Sequence, residues 1–243
     1  DAPRIAALGA AVRDGDAGQV RDIVGRGDDA VRFVPCREPR DVQRHLRRCM
    51  EASVLPRFEA DTPEKACARL HDTMILCSHR IGPFGAVQVN DTINALLRER
   101  GLIRDGMHYV NRPILVTAND MQSRLSNGDL GVELAGARGI AAYFPEAGGS
   151  VRRVVPAQLP RHTTAYAMTI HKSQGSEFRD VIVILSPRDE GFVTRELIYT
   201  AVTRARRRVE IWGDEDILAR GVENVTARAS GLARAMAGRG ESQ

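Results

Sequence analysis

AYAMTIHKSQGSEFRDVIVIL, residues 165–185, is the stretch whose reading decides the fold of this 243-residue chain. It opens on an apolar, β-prone run, Tyr166 to Ile170. It closes on Val181 to Leu185, the most apolar strand-length run in the sequence. A continuous apolar run of that length suits a strand buried on both faces, as in a parallel sheet. Between the two runs, Thr169, His171, Lys172, Ser173, Gln174, Gly175, Ser176 and Glu177 crowd small, polar and charged groups together. Thr169, His171, Lys172 and Ser173 are donors of the kind that hold phosphate oxygens. Gly175 permits close backbone approach, and Glu177 accepts only, which suits a sugar hydroxyl. A plain surface loop after a buried strand accounts for the same residues, and both readings stand at this point.

Working outward, strand, turn and helix repeat. Thr73 to Cys77 (TMILC) is a second continuous apolar run; GPFG (82–85) then turns the chain, and Val89, Ile93, Leu96 and Leu97 fall at helical spacing. Units of that kind build α/β domains. Ala30 to Val34 and Arg208 to Trp212 read as further strands. Helices are predicted from Asp1 to about Gly27 in two pieces, over Asp41–Met50, Pro63–Leu70, Thr194–Arg204, near Ile217–Arg220 and over Thr226–Met236. Asp14 or Asp16, Thr62 and Thr194 stand at N-cap positions. The last residues, GRGESQ, read as a disordered tail. Residues 106–160 differ: four short strands, 113–117, 130–134, 139–144 and 151–155, alternate with turns. Asn127-Gly128 there suits a type I′ hairpin turn. Tyr109, Tyr143 and Phe144 are open to two readings, base stacking and core packing.

Composition sets outer bounds. Hydrophobic content is 43% and charged content 27%, ordinary for a globular protein. The net charge of +4 permits a polyanionic partner without demanding one. No run approaches the roughly 18 apolar residues of a membrane span, and no signal segment opens the chain. The first residue is Asp1, not Met, so a piece of a longer or processed polypeptide is expected. Cys36, Cys49, Cys67 and Cys77 are widely spaced, which points to reduced, mostly buried thiols and away from zinc or a disulfide framework.

A second cluster is RELIYTAVTRARRRVEIW, residues 195–212. Leu197, Ile198, Ala201 and Val202 give a helix its buried stripe, which runs into Arg204, Arg206, Arg207 and Arg208. Arg204, in the last turn, is placed to reach a triphosphate as an arginine finger does. Solvent-facing charges at a helix C-terminus are the other reading, strongest for Arg206 and Arg207.

Taken together, AYAMTIHKSQGSEF, VIVIL and RELIYTAVTRARRRVEIWG resemble motifs V and VI of superfamily 1 helicases. Among these the chain most resembles the C-terminal half of the RecD family, alpha subunits of exodeoxyribonuclease V. GPFGAVQVN (82–90), RPILVTANDMQSRLSNGDLGV (112–132) and SGLARAM near the end add to the match. The resemblance implies a RecA-like, P-loop NTPase-type second motor lobe (2A) over residues 1–105 and 161–243, with an SH3-like β insertion (2B) over 106–160. It implies an ATP-dependent 5′→3′ DNA helicase, a hydrolase of double-strand-break repair and DNA recombination in the cytoplasm. It places the ribose on Glu177, the γ-phosphate on Arg204 as the catalytic residue, and Gln174 and Gly175 between nucleotide and DNA. Thr169 and His171, with Lys172 and Ser173 beside them, lie toward DNA phosphates. No G-x-x-x-x-G-K-[ST] and no Walker B carboxylates occur, so the magnesium ligands are expected on an N-terminal lobe, and this chain alone is expected to lack ATPase activity. The implied partners are ATP with magnesium, single-stranded DNA, that lobe, and RecB-like and RecC-like subunits. The rivals are a non-catalytic single-strand-binding or subunit-docking module, and a superfamily 1 helicase outside RecBCD.

Overall fold

The computed structural model describes residues 3–104, 106–136, 139–188 and 191–225. The helix predicted over 226–236 and the GRGESQ tail lie outside them. Five strands form a parallel sheet: β1 (Val31–Pro35), β2 (Thr73–Cys77), β8 (Ala167–Thr169), β9 (Phe178–Ile184) and β10 (Ala205–Gly213). Their order is β1-β10-β9-β2-β8. Every residue of β2 is buried, as its unbroken apolar run requires.

Side chains alternate between the two faces of this sheet. Met74, Leu76, Val181, Val183, Val209 and Ile211 meet α1 (Pro3–Asp14), α2 (Ala17–Arg26), α6 (Arg195–Val202) and α7 (Glu215–Glu223) on one face. Ile75, Cys77, Ile182, Ile184 and Trp212 meet α3 (Pro39–Ser53) and α5 (Ala86–Glu99) on the other. The predicted α/β class is therefore observed, with helices covering both faces. The caps act as their residue types dictate: Asp16 accepts from Gln19 N at 2.8 Å, Thr62 from Lys65 N and Thr194 from Leu197 N, both at 3.3 Å.

A second, antiparallel sheet has the order β6-β5-β4-β3-β7. Its strands are β3 (Arg112–Val116), β4 (Leu130–Gly136), β5 (Gly139–Pro145), β6 (Val151–Val154) and β7 (His162–Thr164). The fifth strand lies past residue 160. Leu115, Leu130, Val132 and Leu134 join the core of the parallel sheet, where α4 (Pro63–Ala68) also contributes Ala66 and Cys67. Ile114, Val116, Ala142 and Phe144 face a smaller core of their own. Tyr109 and Phe144 are buried, which favours the packing reading over base stacking for both.

The Asn127-Gly128 turn is not type I′. Only Gly128 has a positive φ, 104°, and Asp129 N donates to Ser126 O at 3.0 Å. That is the pattern of a type II turn, and the turn lies at the end of a long loop between β3 and β4 rather than at a two-residue hairpin. Gly131 in β4 has a different constraint. A Cβ there would lie 2.6 Å from the Phe144 ring. Gly131→Ala is expected to lower stability by about 1–3 kcal/mol through overpacking. Urea denaturation checks this, and an unchanged midpoint would disprove so close a contact.

The cysteines are free, with Cys36, Cys67 and Cys77 buried. Burial pushes the Cys36 and Cys67 thiols up to about 12, and Cys77 higher still. They act as small apolar core residues.

Candidate nucleotide and nucleic-acid site

The segment between β8 and β9 passes from one edge of the parallel sheet to the other. Thr169, at the end of β8, is level with Cys77 at the end of β2. Phe178 opens β9 beside Ala205, the first residue of β10. The return spans about 20 Å of strand length. It is made by a single 3₁₀ turn, Ile170–Ser173, and the loop 174–177. Ile170 and Ser173 anchor the turn in the core. Gln174, Gly175 and Glu177 stand exposed after it, with Gly175 at φ 86°, where a side chain would be strained.

The predicted residues therefore divide between two edges. At the N-terminal edge, Phe178 N donates to Arg204 O at 2.8 Å, so the end of the quoted stretch and the arginine cluster are in direct contact. Helix α6 ends at Val202, and Arg204 lies just beyond it instead of in its last turn. Its side chain is half-buried. Nη1 donates to Ser176 O at 3.1 Å, Nε to Thr200 O at 3.2 Å, and Nη2 to Thr203 Oγ1 at 3.3 Å. All three acceptors are neutral. No carboxylate pairs with Arg204 among the described residues.

Its neighbours differ. Arg206 pairs with Glu177 Oε2 at 2.8 Å, and Arg207 with Asp180 at 3.0 Å. Arg208 donates to Asp29 O at 3.0 Å. The hydrogen bond to Asp180 raises the pKa of Arg207 further. Arg206 and Arg207 are the solvated, paired charges of the plainer reading. Arg204 is a positioned cation without a counter-charge among the described residues. The edge suits a phosphate but, among the described residues, offers no free carboxylate set for magnesium, since arginines engage Glu177, Asp180 and Asp72.

At the C-terminal edge, Thr169 and Lys172 line a cleft of about 500 Å³ between the two sheets. Arg80, Thr117, Arg161 and His162 line it too. Three of its walls are cationic and none carries a carboxylate. His171 and Lys172 are exposed. Ser173 is not available to a ligand: it is fully buried, and its Oγ donates to Ile170 O at 2.7 Å, closing the turn. The rings of His79 and Phe192 stack 4.2 Å apart at the end of β2 and in the loop after β9, with Phe192 half exposed. GPFG shapes the turn before α5: Phe84 is buried, and a Cβ on Gly85 would lie 2.7 Å from the Ile81 carbonyl carbon.

Asn90 is a residue that the sequence reading passed over. It is buried in α5 and makes four hydrogen bonds to backbone. Its Nδ2 donates to Ala86 O at 2.8 Å and to Ala167 O at 2.9 Å. Its Oδ1 accepts from Tyr166 N at 2.9 Å and Ala167 N at 3.0 Å. The side chain thus covers the outer edge of β8 and holds Thr169 in place. A polar residue on the helical stripe of Val89 and Ile93 was the available signal.

A parallel sheet covered by helices on both faces, with a polar turn and an arginine meeting at one edge, has the form of a RecA-like helicase lobe. Residues 164–211 match the UvrD-like helicase C-terminal domain. The RecBCD enzyme subunit RecD of Mycobacterium tuberculosis is 38% identical over 234 residues, covering 94% of this chain and 40% of that protein. The same subunit of Mycolicibacterium smegmatis is 39% identical over 233 residues, with the same coverage. The ATP-dependent RecD2 DNA helicase of Deinococcus radiodurans is 34% identical over 55% of this chain and 19% of that protein. The chain belongs to the RecD family. It spans about two fifths of the length of the RecD subunits it matches.

Proposed function

We propose that this chain is the C-terminal motor lobe of an ATP-dependent, RecD-type 5′→3′ DNA helicase. It acts in double-strand-break repair and DNA end processing in the cytoplasm, beside RecB-like and RecC-like subunits. The β module over residues 106–160, completed by β7 as its fifth strand, is its SH3-like 2B insertion. The observation that carries the reading is Arg204. A guanidinium held by three neutral oxygens and lacking a carboxylate is a fixed positive charge waiting for an anion.

In this reading ATP lies against the N-terminal edge. Glu177 accepts from the ribose, using the oxygen that Arg206 leaves open. Arg204 stabilises the charge that builds on the γ-phosphate. Magnesium, held by residues of the N-terminal lobe, neutralises the phosphates when bound. Single-stranded DNA crosses the C-terminal edge. Thr169, Lys172, Arg80 and Arg161 hold its phosphates, His171 assists, and the Phe192 ring gives a base a stacking surface. Gln174 and Gly175 join the two edges along the short return, so nucleotide state at one alters grip at the other.

Two results are expected. The chain by itself shows no DNA-stimulated ATP turnover, because it has no phosphate loop; robust turnover from the pure chain would end the two-lobe reading. Lys172→Ala weakens single-strand binding of the intact subunit across all sequences. It also makes the slope of log K against log salt shallower by about 0.7, the single-strand value for one phosphate contact. An unaltered slope would remove Lys172 from the DNA path. The decisive substitution is Arg204→Ala in the intact subunit, assayed for both ATP turnover and strand affinity.

A further inference from the structure

Beside the cleft, at the junction of the two sheets, His108, Glu133 and His162 bring one ligand atom each to within 4.8 Å of one another. Their places in the chain are distinctive. His108 stands just before β3, where the chain enters the antiparallel sheet. His162 opens β7, the last strand before the chain returns to β8. Glu133 sits between them on β4 and is 2% exposed.

The hydrogen bonds prepare this cluster for a cation. His162 Nδ1 stands 2.8 Å from Pro160 O, which accepts its proton and leaves Nε2 with a lone pair for a ligand. Glu133 Oε1 is shared by His108 Nδ1 at 2.7 Å and Arg112 Nη1 at 3.1 Å. Arg112 is itself anchored by Nε donating to Thr164 Oγ1 at 2.9 Å, so the carboxylate is held in one orientation. Glu133 Oε2 is buried and has no hydrogen-bond partner. A buried carboxylate oxygen without a donor is costly, and a metal ion supplies what is lacking. The imidazole rings lie 6.0 Å apart.

We propose that His108, Glu133 and His162 bind one divalent transition-metal ion, with zinc as the ion their donors suit. Two imidazoles and a carboxylate make a three-ligand zinc set, with water in the fourth position. Ligands at zinc distances stand roughly 3.5 Å apart, so the cluster closes by about 1 Å on binding. On binding, the hydrogen bond between His108 Nδ1 and Glu133 gives way to coordination by both groups, and the Nδ1 proton passes to Nε2 or to water. The neighbouring charge of Arg112 keeps the affinity moderate. Bound there, the ion ties the two chain crossings between the sheets and so stiffens the wall that His162 gives the cleft.

Zinc chloride alone, titrated into the full chain in a calorimeter, is expected to show one saturable site. At a hundredfold excess over Kd it should raise the Tm by several degrees. His162→Ala and His108→Asn should each weaken binding at least tenfold. His108 is exposed, so His108→Asn keeps the test open if the other variant folds poorly. Absence of saturable binding at 100 µM zinc, set as roughly the upper range for such a site, overturns the proposal. So does wild-type affinity in a folded variant, which would put the metal elsewhere.

Discussion

Replacing Arg204 by alanine in the intact subunit is expected to lower ATP turnover by about 10³-fold or more and abolish unwinding, while single-strand affinity changes little. The separation follows from geometry. Arg204 is at the N-terminal edge of the parallel sheet, about 20 Å of strand length from Thr169 and the cationic cleft. Its hydrogen bonds to Ser176 O, Thr200 O and Thr203 Oγ1 fix the guanidinium before any ligand arrives, so little reorganisation is needed as phosphate charge develops. Arg204→Lys should not restore activity. An ammonium lacks the planar fork that bonds three acceptors and still faces a phosphate. Arg206→Ala serves as the comparison. That residue is exposed and already paired with Glu177, so its loss should alter turnover only modestly. Turnover near wild type in Arg204→Ala, or equal losses in both variants, would refute the finger assignment.

Asn90→Ala should give the largest loss of stability of any single substitution near the site, on the order of 3–5 kcal/mol. The asparagine carries no charge, and its four hydrogen bonds all go to backbone. It satisfies Tyr166 N just before the edge strand β8, and Ala167 N and Ala167 O at its start. Those groups have no neighbouring strand on that side, because β8 ends the sheet. Truncation leaves them buried and unpaired, at about 1–3 kcal/mol each. Asn90→Asp is a stricter probe: it keeps the acceptor for the two N–H groups and loses the donor to Ala86 O and Ala167 O. Chemical denaturation should order the three proteins as wild type, Asn90→Asp, Asn90→Ala. If alanine at this position costs less than about 1 kcal/mol, water replaces the side chain and β8 is not held as described.

Much of the architecture was legible because local chemistry and tertiary need agreed. TMILC and VIVIL read as buried parallel strands because all their residues but Thr73 are apolar, and both occupy interior positions of the sheet. Asp16, Thr62 and Thr194 read as caps because their side-chain oxygens act on N–H groups only a few residues away. The misses have a common cause. Asn127-Gly128 carries the composition of a hairpin turn, but the loop around it is closed by Gly128 N to Val116 O and Val116 N to Asp129 O, partners that no short window contains. Ser173 looked like a ligand donor because its type permits that role; only the buried 3₁₀ turn shows its hydroxyl spent on Ile170 O.

What the sequence by itself determined was the strands other than the short β7, the caps and the presence of a polar turn beside an arginine-rich helix end, since these depend on side-chain type and short-range periodicity. The division of labour was decided only in three dimensions. A strand has two ends, and a run of residues does not say which end another element will meet. Pairing of β9 with β10 put Glu177 and Arg204 at one edge of the sheet, and pairing of β8 with β2 left Thr169 and Lys172 at the other. It was likewise the packing that gave carboxylates to Arg206 and Arg207 and withheld one from Arg204, because ion pairing depends on distances of a few ångströms between residues far apart in the chain.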